Sequence, residues 1–345
     1  MTSKPTVLVP ALSTPAEVDL RELATADSLL VALDFDGVLA PLQDDPETSQ
    51  MTAGSAAAIA ALARLPHTRV ALVSGRDIAT LSRLTETPES VWMIGSHGAE
   101  AALGSGIESD RAGIAPVGDD GADLAHGTGA SHSPELTAAE QERLTAIDAH
   151  IEAFEDAFPP TAPEMLTDLL VERKPYSRTV HTRGFDPEVA AALHEHAMQV
   201  AEEFPDIRVI EGHDITELAV KQATKGDGLR LLARAGAPTA MAYLGDDVTD
   251  EDAFAALHDL SADQTLDSGP TDKTGQTDKT GLPDEAGPTL DAGLTVKVGT
   301  APTQARWRIT GPDAVADLLG RLAAERADHL GAEHLRAEHF GTERG

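Results

Sequence analysis

The sequence predicts an α/β protein, a parallel sheet with crossover helices into which a smaller α+β domain of order αββαββ is inserted. Three observations predict it. Short apolar, β-branched runs alternate with helix-period stretches over residues 29–94 and again over 226–298, as strand–helix–strand units do. Between them, residues 138–220 follow another order: helix, two strands, helix, two strands. One strand, Leu29-Leu30-Val31-Ala32-Leu33, runs directly into Asp34-Phe35-Asp36-Gly37-Val38-Leu39. That places two carboxylates at the strand edge where open α/β sheets bind ligands.

Leu29–Leu33 is too short and too β-branched at its centre for a helix. Side chains alternate along a strand, so Asp34 and Asp36 point to one side. Carboxylates this close repel, and a divalent cation keeps both useful near pH 7. Gly37 permits a tight turn that brings backbone N–H groups near an anion. An Ala-rich helix at Ser55–Leu65 follows, then a strand at Arg69–Val73, a helix from Asp77 to Leu84 and a strand at Val91–Ile94. Residues 103–133, rich in Gly, Ser, Asp and Ala, read as a flexible insertion.

From Ala138, Leu144, Ile147, Ile151, Phe154 and Phe158 recur at intervals of three and four, an amphipathic helix. Strands are expected at Asp168–Arg173 and Arg178–Arg183, then a helix with Val189, Leu193, Ala197, Val200 and Phe204 on one face. Strands at Ile207–Ile210 and Ile215–Val220 complete the inserted unit. The parallel pattern resumes with a helix at Gly226–Ala235, a strand at Thr239–Leu244 and a helix from Asp250 to about Leu257. A strand at Leu294–Val298 and a helix from Asp313 close the core. Residues 261–292 repeat Thr-Asp-Lys-Thr-Gly at 271–275 and 277–281 and read as a solvated loop. The expected division is an N-terminal extension (1–28), a core (29–102 and 218–325), insertions (103–133 and 261–292), an inserted domain (134–217) and a charged tail (326–345). His329, His334 and His339 in that tail read as a solvated helix.

The length of 345 residues favours two domains. Aromatic residues make up only 3%, so the core is built from Ala, Leu, Val and Ile. With no cysteine, any metal must be held by oxygen or histidine. A net charge of −32, from 58 acidic and 26 basic residues, repels phosphate backbones and argues against nucleic acid. No signal-like start and no run of about eighteen apolar residues occurs, so no membrane association and a cytoplasmic location are expected. No obligate protein partner is evident.

Four pieces separated in sequence fall at element ends. They are Asp34 and Asp36; Ser74-Gly75-Arg76 after the strand ending at Val73; Lys225-Gly226 opening a helix; and Gly245-Asp246-Asp247-Val248-Thr249-Asp250-Glu251 after another strand. A strand-end hydroxyl, a lysine at a helix start and a second carboxylate cluster are what phosphoryl transfer onto an aspartate requires. Mg²⁺ prefers hard oxygens, and Asp34 with Asp246 can supply two carboxylates. Lys225 and the Ser74 hydroxyl can hold phosphoryl oxygens. Each piece alone is an ordinary turn or cap; their order makes that joint reading improbable.

In this order the four pieces resemble the haloacid-dehalogenase superfamily of phosphotransferases. Within it, the chain is similar to the trehalose-6-phosphate phosphatase family. That narrower resemblance rests on Gly95-Ser96-His97-Gly98-Ala99-Glu100, on Val171-Glu172-Arg173-Lys174 with His181-Thr182-Arg183, and on Val296-Lys297-Val298-Gly299 followed by Thr303 and Ala305. It covers roughly Leu29–Leu319 without the two low-complexity insertions. It implies a Rossmann-like parallel-sheet core with an inserted αββαββ cap domain, and Mg²⁺-dependent hydrolysis of trehalose 6-phosphate, the last step of trehalose biosynthesis.

It further implies that Asp34 is the nucleophile and that Asp36 is the acid and base and lends its backbone carbonyl to the metal. Asp246 would be the second metal carboxylate, with Asp250 and Asp247 behind it. Ser74 and Lys225 would serve catalysis, and Arg76, His97, Glu172, Lys174, Arg183 and Glu217 would meet the substrate. For His181 and Arg183 a cap-strand salt bridge or buried polar contact stands as the other reading, and for His97 and Glu100 a loop-fixing role. Val38 and Ala40 stand where the family usually has Thr and Ser, and Ala219 where many members carry a basic residue. Another sugar phosphatase of the superfamily, acting on sucrose, mannosylglycerate or hexose phosphates, and a non-catalytic acidic regulator are the competing readings.

Overall fold

The structure, a computed structural model, describes residues 10–43, 45–104, 130–157, 171–182, 185–212, 215–262 and 290–341. Its larger sheet contains β1 (Leu29–Leu33), β2 (Thr68–Val73), β3 (Trp92–Gly95), β4 (Glu100–Leu103), β5 (Ala130–His132), β10 (Ala240–Gly245), β11 (Ala292–Val298) and β12 (Trp307–Ile309). The strand order is β12-β11-β10-β1-β2-β3-β4-β5. The first six are parallel, and β4 and β5 close one edge antiparallel.

All five residues of β1 are buried, as a strand covered on both faces must be. Leu29, Val31 and Leu33 face a cluster shared with Ile59 and Leu62 of the helix Ala53–Leu62 and with Val315, Leu318 and Leu322 of the helix Pro312–Gly341. Leu30 and Ala32 face the other cluster, with Leu229 and Leu232 of the helix Lys225–Gly236 and Phe254 and Leu257 of the helix Asp250–Ala262. β1 lies between β10 and β2, the point where the strand order reverses. Leu33 is level with both Leu72 and Leu244, so the C-terminal ends of three strands share one edge.

The second sheet contains β6 (Val171–Arg173), β7 (Ser177–His181), β8 (Arg208–Gly212) and β9 (Ile215–Ala219), all antiparallel, in the order β6-β7-β9-β8. The helix Ala138–Ala157 packs Leu144, Ile147 and Ile151 onto Val171, Tyr176 and Leu218. The helix Pro187–Glu203 places Leu193 and Ala197 against Val180. These are the residues whose spacing marked both helices.

The structure departs from the sequence reading at the element ends and in the supposed loops. Leu103 and residues 130–132 are strand, paired Leu103 to Ala130, not insertion. A three-residue edge strand in Gly- and Ser-rich sequence is held by backbone pairing, which composition does not reveal. Residues 105–129 and 263–289, with the repeated pentapeptide, lie outside the described residues, as do Phe158, residues 168–170 and Arg183. Leu290, placed in the solvated loop, is fully buried, and its N–H donates to the Leu260 carbonyl at 3.1 Å. Strand β12 was not expected.

The stretches outside the expected core also pack. Val18, Leu20, Leu23 and Ala24 are buried in the cluster shared with the C-terminal helix. Arg326, the first residue of the supposed tail, has no exposed surface. Its guanidinium donates to the carbonyls of Ala26 at 2.8 Å and His67 at 2.9 Å, and to Thr68 Oγ1 at 2.6 Å. Among the described residues, no helix is long and apolar enough to cross a membrane.

Candidate active site

Strand pairing places the first three groups. The Asp34 N–H donates to the Leu244 carbonyl at 3.0 Å, and the Ser74 N–H donates to the Ile94 carbonyl at 2.9 Å. Asp34, Ser74 and Asp246 thereby stand side by side, each just beyond a parallel strand. Gly37 adopts φ +73°, and a Cβ there would collide with the Asp246 carboxylate. The glycine is thus required by this close approach as well as by its turn, in which its N–H donates to the Ala40 carbonyl at 2.8 Å. Val38 and Ala40, the two departures from the family pattern, are fully buried core residues.

Lys225 sits at the start of its helix because Thr224 caps that helix, accepting from the Asp227 N–H. Its Nζ donates to Asp34 Oδ2 at 2.8 Å and to Asp250 Oδ1 at 2.7 Å. Tyr243 donates its hydroxyl to the same Asp250 oxygen at 2.7 Å, and the Asp247 N–H donates to Asp250 Oδ2 at 2.8 Å. Burial works against Asp250, but Lys225 and these donors hold its carboxyl below the usual range. Burial also opposes the Lys225 ammonium, and Asp250 and Asp34 more than offset it, so the lysine stays charged. For Asp34, burial, with the charges of Asp250 and Asp246, outweighs Lys225 and pushes the carboxyl well up. Burial and Asp250 likewise push Asp246 up to about 7 against Lys225.

Two carboxylates therefore share one ammonium, and a third, Asp246, stands beside them. Asp34, Asp246 and Asp250 each offer an oxygen within 4.8 Å of the others. Both Asp250 oxygens already accept hydrogen bonds, whereas no donor among the described residues meets the Asp246 carboxylate. Uncompensated, partly desolvated carboxylates with elevated pKa values suit a divalent cation, which would return them to the ionised form. The residues present fit such an ion. The Asp36 carboxylate stands apart from this cluster. It accepts Arg76 Nε at 2.6 Å and Nη2 at 2.8 Å, and the Ser49 hydroxyl at 3.1 Å.

The Gly-Ser-His-Gly segment braces this edge. A Cβ on Gly75 would strike the His97 ring, and one on Gly98, at φ +113°, would strike the Thr224 carbonyl. Ser96 and His97 themselves have positive φ, of 48° and 55°. Glu100 holds them, accepting from the Ser96 hydroxyl at 2.7 Å, the Ile78 N–H at 3.2 Å and Ser133 Oγ at 3.0 Å. Glu100 therefore fixes its loop. His97 Nε2 lies 3.5 Å from Glu217 Oε2, linking the segment to the second sheet. Burial, only partly opposed by Glu217, holds the imidazole below its usual value.

On the second sheet, Glu217 Oε2 accepts from Lys174 Nζ at 2.8 Å and Thr179 Oγ1 at 3.1 Å, and Oε1 from Ser177 Oγ at 2.6 Å. Burial opposes both charges. Lys174 and His97 nevertheless hold Glu217 well below the usual range, and Glu217 and Glu172 hold Lys174 above its own. Glu172 Oε2 lies 3.2 Å from His181 Nε2. One cavity of about 780 Å³ takes in Asp34, Asp36, Ser74, Arg76, Lys225 and Asp246 from the core, and Glu172, Lys174, His181 and Glu217 from the second sheet.

Sequence reasoning gave no role to Tyr243, Ser49 or Lys297. Tyr243 and Ser49 carry no local signal. Lys297 does, as a charged residue inside the buried strand β11; its Nζ donates to the Asp247 carbonyl at 3.0 Å.

A family model described as Trehalose-phosphatase matches residues 32–283. The chain belongs to the trehalose-phosphatase family. It is 30% identical over 253 residues to a trehalose-phosphate phosphatase of Mycobacterium marinum, covering 69% of this chain and 55% of that protein. To the one of Mycobacterium tuberculosis H37Rv it is 30% identical over 251 residues, covering 68% and 54%. The chain thus spans about half the length of these curated relatives. The structure of the C-terminal domain of Candida albicans trehalose-6-phosphate phosphatase superposes with a TM-score of 0.66 at 22% identity. That match covers 92% of this chain and 99% of that one, a likeness of fold.

Proposed function

We propose that the chain is a Mg²⁺-dependent phosphatase that hydrolyses trehalose 6-phosphate to trehalose and phosphate through an aspartyl-phosphate on Asp34. The observation that carries the reading is the shared cavity. It joins the carboxylate–ammonium edge of the parallel sheet to a polar wall on the second sheet, in a chain of the trehalose-phosphatase family. Its residues suit a phosphate at one end and a polyhydroxylated sugar at the other. On this reading residues 134–217 act as a cap over the core. The composition supports a cytoplasmic setting and no nucleic-acid partner.

Asp34 attacks phosphorus in line, forming an Oδ–P bond as the bond from phosphorus to the sugar oxygen breaks. Asp36 gives a proton to that leaving oxygen, then takes one from the water that attacks the aspartyl-phosphate, releasing Asp34 and inorganic phosphate. Lys225 and the Ser74 hydroxyl hold the non-bridging oxygens while charge redistributes among them. Mg²⁺, held by the carboxylates of Asp34 and Asp246 and the backbone carbonyl of Asp36, would neutralise charge on the phosphoryl group. Asp250 keeps Lys225 charged and in place. Glu172, Lys174 and Glu217 hydrogen-bond sugar hydroxyls.

The test is phosphate release over a panel of sugar phosphates, with and without Mg²⁺. Trehalose 6-phosphate is expected to be the preferred substrate. A preference for sucrose, mannosylglycerate or hexose phosphates would move the chain to another sugar-phosphatase activity. No release from any of them would defeat the enzymatic reading.

A further inference from the structure

We infer that Arg76, with Ser49, is a positioning residue that aims the Asp36 carboxylate, and not a contact to the substrate; the inference rests on the phosphatase reading above. The arginine directs its fork at Asp36, Nε to Oδ2 at 2.6 Å and Nη2 to Oδ1 at 2.8 Å. A bidentate guanidinium–carboxylate pair fixes the plane of the carboxylate as well as its place. The Ser49 hydroxyl adds a third donor, to Oδ1 at 3.1 Å.

The arginine is itself anchored. Nη2 also donates to the Pro46 carbonyl at 2.9 Å and to Ser49 Oγ at 3.2 Å, and the guanidinium lies 5.6 Å from the Phe35 ring centroid. Its side chain is 8% exposed, against 31% for Asp36. The cation is therefore anchored by the loop Pro46–Ser49, and of these two side chains, both of which line the cavity, the carboxylate is the more exposed. An arginine placed to grip phosphate or sugar would turn its fork the other way.

The proposed chemistry needs such a device. Asp36 must reach the leaving oxygen in one step and the attacking water in the next, and a free aspartate side chain has several rotamers open to it. A misplacement of about 1 Å at a reacting group can lower the rate about a hundredfold.

A double-mutant cycle tests the inference on trehalose 6-phosphate. Arg76→Ala is expected to lower kcat roughly 10- to 100-fold with KM changed less than about twofold. In an Asp36→Ala background, which leaves nothing to aim, the same change should lower kcat by less than about twofold. Arg76→Lys, which keeps the charge and loses the fork, should recover only part of the rate. Ser49→Ala, the milder variant should Arg76→Ala fail to fold, should lower kcat several-fold at unchanged KM. Losses that multiply in the double variant, or an effect chiefly on KM, would overturn the inference and make Arg76 a substrate contact. A wild type without phosphatase activity would overturn the functional reading and this inference with it.

Discussion

Replacing Lys174 by Met probes the buried pair that joins the second sheet to the cavity. Lys174 Nζ lies 2.8 Å from Glu217 Oε2, and the two side chains are 9% and 3% exposed. Without the ammonium, Glu217 keeps the Ser177 and Thr179 hydroxyls and the His97 imidazole, whose pKa burial holds below its usual value. Removing one partner of a buried pair costs about 3–5 kcal/mol, because the other charge stays desolvated. The sign with pH follows from the shifts. In the wild type, Lys174 holds Glu217 below its ordinary value and Glu217 holds Lys174 above its own. The pair therefore stabilises the fold between those two ordinary values and fails only in strong acid or strong base. In the variant, burial acts without that opposing charge, so the Glu217 carboxyl takes up a proton at a higher pH than in the wild type. The penalty should therefore be full at pH 8 and clearly smaller at pH 5. Adding Glu217→Gln should restore most of the loss. Urea unfolding at both pH values measures this. It should be followed by far-UV circular dichroism, since Trp92 and Trp307 both lie in the core sheet and would miss the second one. A cost below about 1 kcal/mol, equal at both pH values and deepened by Glu217→Gln, would refute the reasoning.

Three further outcomes are expected. Asp34→Asn keeps the shape but removes the attacking charge, so turnover should fall at least about a thousandfold, and chelation should act as severely; substantial turnover by the variant would rule out the covalent route. Gly37→Ala forces a Cβ against the Asp246 carboxylate at a positive φ, so the Mg²⁺ concentration for half-maximal activity should rise roughly tenfold or more. An unchanged Mg²⁺ requirement would place the ion elsewhere. Leu290→Ala should lower stability by about 2–4 kcal/mol in a denaturant titration, whereas replacing residues 265–287 by a short Gly-Ser link should change it little. Equal losses from the two changes would show that the replaced segment packs on the core.

The parallel core was legible because its strands announce themselves twice, as apolar runs and by the chemistry that follows them. Leu29–Leu33 is a strand from end to end, and the residues after β1, β2 and β10 meet because those strands are parallel and in register. What stayed hidden depends on contacts between elements. Nothing local in the sequence shows that Arg76 Nη2 meets the Pro46 carbonyl and Ser49 Oγ as well as Asp36. Lys174 and Glu217 read as separate sugar contacts, because nothing local shows that the register Thr179–Glu217 brings Lys174 alongside. Leu290 and β5 were lost to composition, since an isolated leucine or a three-residue strand barely alters the average of a polar stretch.

The guanidinium of Arg326 also sets an order of events during synthesis. The Leu23 and Ala24 carbonyls that accept from its Nη1 lie 303 and 302 residues earlier in the chain. A ribosome adding about 5–20 residues each second delivers that arginine roughly 15–60 s after they emerge. Through that interval the apolar face of Val18, Leu20 and Leu23 has no C-terminal helix to cover it. The nascent chain thus carries a hydrophobic segment that is shielded, by chaperones or by transient contacts, until the helix Pro312–Gly341 has been made. A truncation ending before residue 312 would make that exposure permanent, although every residue of the candidate active site would still be present.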